Sequence, residues 1–347
     1  MIILNDLHLG VTRSGGTTPQ SQAALRNYLR KSLSDTLEEY VGEHVVINGD
    51  LFDSFKVETS EFIAAHKIFQ EHLELGGGLT LIMGNHDSSA KADKVSSFHL
   101  LAHILKSTHP DYVGVLDHTD GFSHVDENVY AISHCMNQSL FDLELAQAVK
   151  RDGEGRYLLL HCNYKNGFAE NSDHSLNIND EQVGALMRAG WTLILGHEHQ
   201  GYTLRGGRVI VVGNQFPSSV ADCIGDPEKH LLEIDGGVKF VCTWDANGSY
   251  IEADWRNLAD IEDYQYNFIR VVGNATALEA AAVIKAVSQL RQRSEAYVIS
   301  NSVRVEGQDM TMNTESIESI KAFDVKKAIL ESLTKEEQVV VTSLMES

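Results

Sequence analysis

The chain has 347 residues, 43% hydrophobic and 22% charged, a composition that excludes a fibrous or disordered protein. Its net charge is −21, and residues 221–347 hold 22 acids against 12 bases, so the acidity is spread along the chain. A surface of that sign repels phosphate backbones, and composition alone argues against autonomous nucleic-acid binding. No apolar run approaches the roughly 18 residues of a membrane helix, so no membrane span is expected.

Taken in order, the first 215 residues alternate short apolar strands with longer helical patterns. Strands are predicted at Ile2–Asn5, His44–Asn48, Leu79–Met83, Val129–Ser133, Tyr157–His161, Thr192–Leu195 and Arg208–Val212. Helices are predicted over Gln20–Tyr40, Thr59–Leu75, Val95–Leu105, Leu140–Arg151 and Asp180–Ala189. Such alternation implies βαβ units, an α/β fold, and a buried sheet with helices on its faces. Beyond Cys223 the pattern changes to strands at His230–Ile234 and Val238–Trp244, then the acidic stretch Asp254–Asp263. A strand at Asn267–Val272, a helix over Ala277–Arg293 opened by a Thr276–Glu279 capping box, and a strand at Ala296–Val305 suggest a small α+β unit. Two amphipathic helices close the chain, one carrying Ile317, Ile320 and Phe323, the other Val340 and Leu344. The domain reading is therefore 1–258, 259–312 and 313–347. Met1-Ile2-Ile3-Leu4 enters a strand at once, so no secretory leader is expected. Cys135, Cys162, Cys223 and Cys242 form no C-x-x-C pair and are expected to be reduced thiols of a cytoplasmic protein.

Five short motifs fall at the predicted C-terminal ends of strands: Asp6-Leu7-His8, Gly49-Asp50-Leu51-Phe52-Asp53, Gly84-Asn85-His86-Asp87, His161, and Gly196-His197-Glu198-His199. Residues two apart on an extended chain point the same way, so Asp6 with His8, and His197 with His199, each present two donors to one side. A Gly-Asp strand end lets the backbone turn sharply and leaves the carboxylate free. The set has oxygen and nitrogen donors and no thiolate, which suits Mn²⁺, Fe or Zn²⁺ in a catalytic site better than a structural zinc. Taken singly, each motif has an ordinary reading as a turn or a satisfied polar residue. The ordered set of five points to metal chemistry.

This set resembles the calcineurin-like metallophosphoesterase superfamily and, within it, the Mre11/SbcD-type nucleases, phage-type members included. The resemblance covers residues 1–200 for the superfamily and rests on softer wording for the nucleases. It implies a β-sandwich flanked by helices, with a capping domain and partner-binding C-terminal helices. It also implies two divalent ions, Mn²⁺ above others. Asp6, His8 and His199 would hold one ion, Asn85, His161 and His197 the other, and Asp50 would bridge them with its two oxygens. His86 would act at the phosphate, Asp87 would orient it, and Asp53 would support the ligands. The implied activity is exonuclease and endonuclease cleavage of DNA in repair or recombination. The implied partner is an SMC-like ATPase of the Rad50/SbcC type, with a homodimer inside a heterotetramer, in a bacterial or phage-infected cell. A stand-alone phosphatase or cyclic-nucleotide phosphodiesterase is the alternative, favoured by the acidity. A scaffold with a dead site is the third reading, and the intact ligand set speaks against it. Arg13, Lys91, Lys94 and Lys165 stand beside the motifs as candidate phosphate contacts, with solvated surface charge as the plain reading. His134 and Cys135, at another strand end, are expected in the core or a loop.

Overall fold

The computed structural model describes residues 1–12, 18–88, 94–165, 174–261 and 266–306. The elements run β1 (Ile2–Leu4), α1 (Pro19–Glu39), β2 (His44–Asn48), α2 (Thr59–Glu74), β3 (Gly78–Ile82), α3 (Ser97–Thr108) and β4 (Val113–Leu116). Then follow β5 (Phe122–Asp126), β6 (Val129–Ile132), α4 (Gln138–Val149), β7 (Tyr157–His161), β8 (Asn163–Tyr164), β9 (Asn177–Ile178), α5 (Asp180–Arg188), β10 (Thr192–Gly196), β11 (Tyr202–Leu204) and β12 (Val209–Val211). The rest comprises β13 (Glu228–Ile234), β14 (Val238–Asp245), β15 (Tyr250–Asp254), β16 (Phe268–Val272), β17 (Asn274–Ala275), α6 (Ala280–Arg293), β18 (Val298–Asn301) and β19 (Arg304–Val305).

Two six-stranded sheets pack face to face. One has the order β14-β13-β1-β2-β3-β4, the other β11-β12-β10-β7-β6-β5. Strand alternation explains the layers. Ile3, Val46, Leu159, Ile194 and Ile210 fill the space between the sheets. Their neighbours Ile2, Leu4, Val45 and Ile47 face the core that also holds Leu25, Leu29, Leu33 and Phe69 of α1 and α2. On the second sheet, Leu158, Leu160, Leu193 and Leu195 pack with Phe141 of α4 and Leu186 of α5. The strands are apolar on both faces, which is why the sequence shows continuous runs rather than alternation. The β-sandwich flanked by helices is the expected fold.

β1 to β4 are mutually parallel, as are β6, β7, β10 and β12. The residues following β1, β2, β3, β7 and β10 therefore collect at the carboxyl ends of parallel strands, where binding sites form in α/β sheets. The two sheets meet there through Asn48, whose Nδ2 donates to Asn5 Oδ1 at 2.9 Å and to the Leu160 carbonyl at 3.3 Å.

β15, β16 and β18 form a separate parallel sheet, packed by Val283, Val287 and Leu290 of α6. Its first strand precedes residue 258, so this sheet takes residues that the sequence reading gives to the catalytic unit. The unit lies against α1: the Tyr28 ring stacks on Tyr297 at 5.0 Å and meets Phe268 edge-on at 6.3 Å. Thr276 and Glu279 are joined, the Glu279 carboxylate accepting from the Thr276 amide at 2.8 Å, but α6 itself opens at Ala280. All four cysteines are free thiols. Among the described residues, no helix is long and apolar enough to cross a membrane. The helices expected within 313–347 lie outside the described residues.

Candidate metal centre

Asp6, His8, Asp50 and His197 share a feature their residue types disfavour: φ of 50°, 45°, 45° and 89°. Left-handed backbone costs a non-glycine residue roughly 1–2 kcal/mol, and it persists only where the surroundings enforce it. Here they do. The amides of His8 and Leu9 donate to the carbonyls of Asp50 and Leu51, both at 3.0 Å, and Asp53 N donates to Leu9 O at 3.0 Å. Leu7, Leu9, Leu51 and Phe52 are buried between these polar residues. The apolar residues beside the first two motifs thus anchor their turns.

Two glycines make room. A Cβ on Gly49, at φ +87°, would lie 2.0 Å from His161 Nδ1, and one on Gly84 would lie 2.2 Å from Asp50 Oδ1 and from the Asp50 amide. Gly49→Ala is therefore expected to cost about 2–5 kcal/mol, combining left-handed strain with overpacking, and to displace His161. Thermal unfolding and metal content of the variant would report both.

The expected ligands converge in two groups. Donor atoms of Asp6, His8 and His199 lie within 4.8 Å of one another, as do those of Asp50, His161 and His197. His8 Nε2 is 3.0 Å from His199 Nε2. Asn85 Oδ1 is 3.1 Å from His161 Nε2 and 3.0 Å from His197 Nδ1. Asp50 Oδ2 stands between the groups, 3.8 Å from His8 Nε2 and 3.3 Å from His161 Nε2. Its other oxygen, Oδ1, accepts the His86 amide at 2.9 Å. Oδ2 thus faces imidazoles of both groups, while Oδ1 is also engaged by a backbone amide.

Charge balance follows the same geometry. Burial raises the Asp50 carboxyl, but His161, His86 and His8 outweigh it and hold it well below the usual range. Burial would lower His161, yet Asp50 and Asp6 push it up to about 9. Asp6 is raised to about 6, by burial first and Asp50 next, against His161 and His199.

Outer partners fix the imidazoles. His161 Nδ1 donates to the Asn48 carbonyl at 3.1 Å, leaving Nε2 toward Asp50 and Asn85. His199 Nδ1 lies 2.8 Å from Asp222 Oδ1, leaving Nε2 toward His8. Asp222 is buried, and its Oδ2 accepts from the Ser218 amide (2.7 Å), the Ser218 hydroxyl (2.9 Å) and the Ser219 amide (2.9 Å). The fully buried Lys229 donates to the His199 carbonyl at 2.8 Å and pairs with Asp226 at 2.6 Å. Sequence reasoning missed Asp222, Asp226 and Lys229. The available signal was a Ser-Ser-x-x-Asp turn, an acceptor facing two hydroxyl residues. Asp222→Asn is expected to weaken metal binding about 10- to 100-fold while leaving the metal-saturated rate nearly intact. A metal titration of activity measures both quantities.

Asp87 does not orient His86. It is wholly buried, with Oδ2 accepting from the Leu51 and Gly84 amides (both 3.1 Å) and Oδ1 from the Phe52 amide (3.0 Å). Burial and the nearby Asp50 raise it to about 7 against those three amides. Its place is to tie two loops together. His86 Nδ1 instead lies 2.8 Å from the Asp53 carbonyl, and Nε2 lies 3.9 Å from Asp50 Oδ2. The Asp53 carboxylate itself is 3.6 Å from His8 Nδ1.

Residues 1–243 match the model of calcineurin-like phosphoesterases. The chain belongs to that family. Members bind two divalent metals, and the donor set of this calcineurin-like phosphoesterase fits them: imidazoles, carboxylates and one amide oxygen converge in two adjoining groups around a shared carboxylate. No curated protein matches the sequence. Similar solved structures include the cold-active protein-tyrosine phosphatase of the psychrophile Shewanella sp., at 14% identity, 69% of this chain, 79% of that chain and TM-score 0.32. A second structure of a cold-active protein tyrosine phosphatase matches over 69% of this chain and 77% of its own, with the same identity and TM-score.

The remaining flagged residues divide. Cys135 belongs to the core beneath α4. His134 is buried at the end of β6, where burial and the charge of His161 drive it down to about 3, making it a neutral imidazole. Lys165 pairs with Asp180, which also takes Arg205 at 2.9 Å, and its ammonium lies 5.5 Å over the Tyr164 ring. Lys94 is exposed. Arg13 and Lys91 lie outside the described residues. Glu198 ties β8 to the centre, accepting the Tyr164 amide at 2.6 Å and the Tyr202 hydroxyl at 2.8 Å.

Proposed function

We propose that this calcineurin-like phosphoesterase is a nuclease of the Mre11/SbcD type that hydrolyses phosphodiesters of DNA, with Mn²⁺ as its metal and an SMC-like, Rad50/SbcC-type ATPase as its partner. The observation that carries the reading is His86, fixed through Nδ1 at the rim of both donor groups. Asp6, His8 and His199 would hold one ion and Asn85, His161 and His197 the other, with Asp50 shared. Bound there, two divalent cations supply charge neutralisation for the phosphate and a lowered pKa for the attacking water. The chain's own residues do the rest. The Asp53 carbonyl selects the His86 tautomer, Nε2 offers a hydrogen bond or a proton to the departing oxygen, and Asp222 keeps the His199 ring aligned. Four imidazoles among seven ligands favour Mn²⁺ over Mg²⁺, which prefers oxygen donors.

The small α/β unit supports a polymeric substrate. It borders the start of α1, with Thr18 lining one cavity together with Ile284, Arg291 and Asn301, and so adds surface beside the loop that follows β1. The charge of −21 supports the second reading, a small-substrate phosphodiesterase. A partner that brings positive surface, docked on segment 313–347 of a homodimer, reconciles the charge with DNA. Incubation with Mn²⁺ and, in parallel, linear DNA, a nitrophenyl phosphodiester and a cyclic nucleotide tests this. Cleavage of DNA and the nitrophenyl diester, with DNA cleavage enhanced by the ATPase, is the expected result. Turnover of the cyclic nucleotide alone would select the second reading.

A further inference from the structure

A second cluster of metal-type donors lies apart from the centre. Donor atoms of His99, Asp117 and His118 come within 4.8 Å of one another, and none of the three belongs to the set described above. His99 sits in the first turn of α3, while Asp117 and His118 follow β4. Two of the donors are already oriented. His99 Nδ1 is 2.7 Å from Ser96 Oγ and 3.4 Å from the Ser96 amide; with the ring proton on Nδ1, donated to Oγ in place of the amide contact, Nε2 is the nitrogen left for a ligand. Asp117 Oδ1 accepts from the Thr119 amide at 2.8 Å and from its hydroxyl at 2.7 Å, so Oδ2 is the oxygen left. Partners of this kind orient ligands in known metal sites.

His103 stands one turn after His99 and lines the same cavity of about 360 Å³, together with Asp117 and Asp120. A tetrahedral zinc with bonds of 2.0–2.1 Å needs its ligand atoms about 3.3 Å apart, so donors within 4.8 Å of one another would draw in around the ion. The donors are imidazole and carboxylate, which suits zinc-like transition ions rather than Ca²⁺ or Mg²⁺.

We propose that α3 and the turn after β4 form a peripheral site for one transition-metal ion such as Zn²⁺, held by His99, Asp117 and His118 with water completing the coordination. The ion would staple the helix that follows the Gly-Asn-His-Asp loop to the edge of the first sheet, since Leu116 of β4 accepts the Met83 amide at 3.0 Å.

The test counts zinc in the full chain, stripped of metal and dialysed against micromolar Zn²⁺, by emission spectrometry. Wild type should hold one more equivalent than His99→Ala and than His118→Ala. Asp50→Ala, altered only in the main centre, should keep that equivalent and show a zinc-dependent rise in Tm that vanishes in Asp50→Ala/His99→Ala. Circular dichroism confirms that each variant is folded. Equal zinc in wild type and in folded His99→Ala and His118→Ala would overturn the proposal, whatever the main centre binds.

Discussion

Replacing Asp50 with alanine should abolish metal-dependent hydrolysis, lowering turnover by about 10³-fold or more, on the order of losing the ion-borne electrostatic stabilisation altogether. Among the described residues, Asp50 Oδ2 is the carboxylate oxygen that lies within 4 Å of imidazole nitrogens from both groups, His8 on one side and His161 on the other. Asp6 is held differently: its oxygens accept the His197 amide at 3.1 and 3.0 Å, and Oδ1 lies 3.9 Å from His161 Nδ1, the ring nitrogen that the Asn48 carbonyl takes. Asp50→Asn separates charge from shape. It can keep the Oδ1 bond to the His86 amide, so it should fold, yet it removes the negative charge that offsets three imidazoles. Metal content of both variants should fall with activity. A folded Asp50→Asn protein retaining both ions and normal turnover would contradict the shared role.

His86→Ala should behave differently: metal content unchanged, kcat lower by about 10²- to 10⁴-fold, the range for a lost general acid. The ring belongs to the rim, 20% exposed at its side chain, and its backbone contribution to the site, the amide to Asp50 Oδ1, survives the substitution. Only the imidazole is removed. The deficit should shrink for a diester with a good leaving group, which needs little protonation, and should grow for DNA. Loss of an ion from His86→Ala would instead make this histidine a ligand.

The centre was legible because its grammar is local. Each motif sits at the end of an apolar strand, and in Asp6-Leu7-His8 the two donors stand two apart around a buried leucine. Strands such as His44–Asn48 and Tyr157–His161 were legible because burial on both faces leaves uninterrupted apolar runs. β4 and β5 escaped because they are largely half-exposed and carry no such run. β15 escaped because its sequence, Tyr-Ile-Glu-Ala-Asp, is short and merges into the acidic stretch.

The resemblance implied that Asp87 orients the His86 ring, but the Asp87 carboxylate meets the amides of Leu51, Phe52 and Gly84. The true neighbour of the imidazole is a backbone carbonyl, at Asp53, which no residue type announces. Asp222 was hidden for a related reason: it lies 23 residues beyond His199, in a turn with no ligand motif of its own.

Electron paramagnetic resonance of the Mn²⁺-reconstituted wild-type protein, beside Asp50→Asn, tests the central claim most directly. Two ions sharing Asp50 should give an exchange-coupled signal in wild type that is lost in the variant. Isolated, uncoupled Mn²⁺ signals in the fully loaded wild-type protein would contradict it.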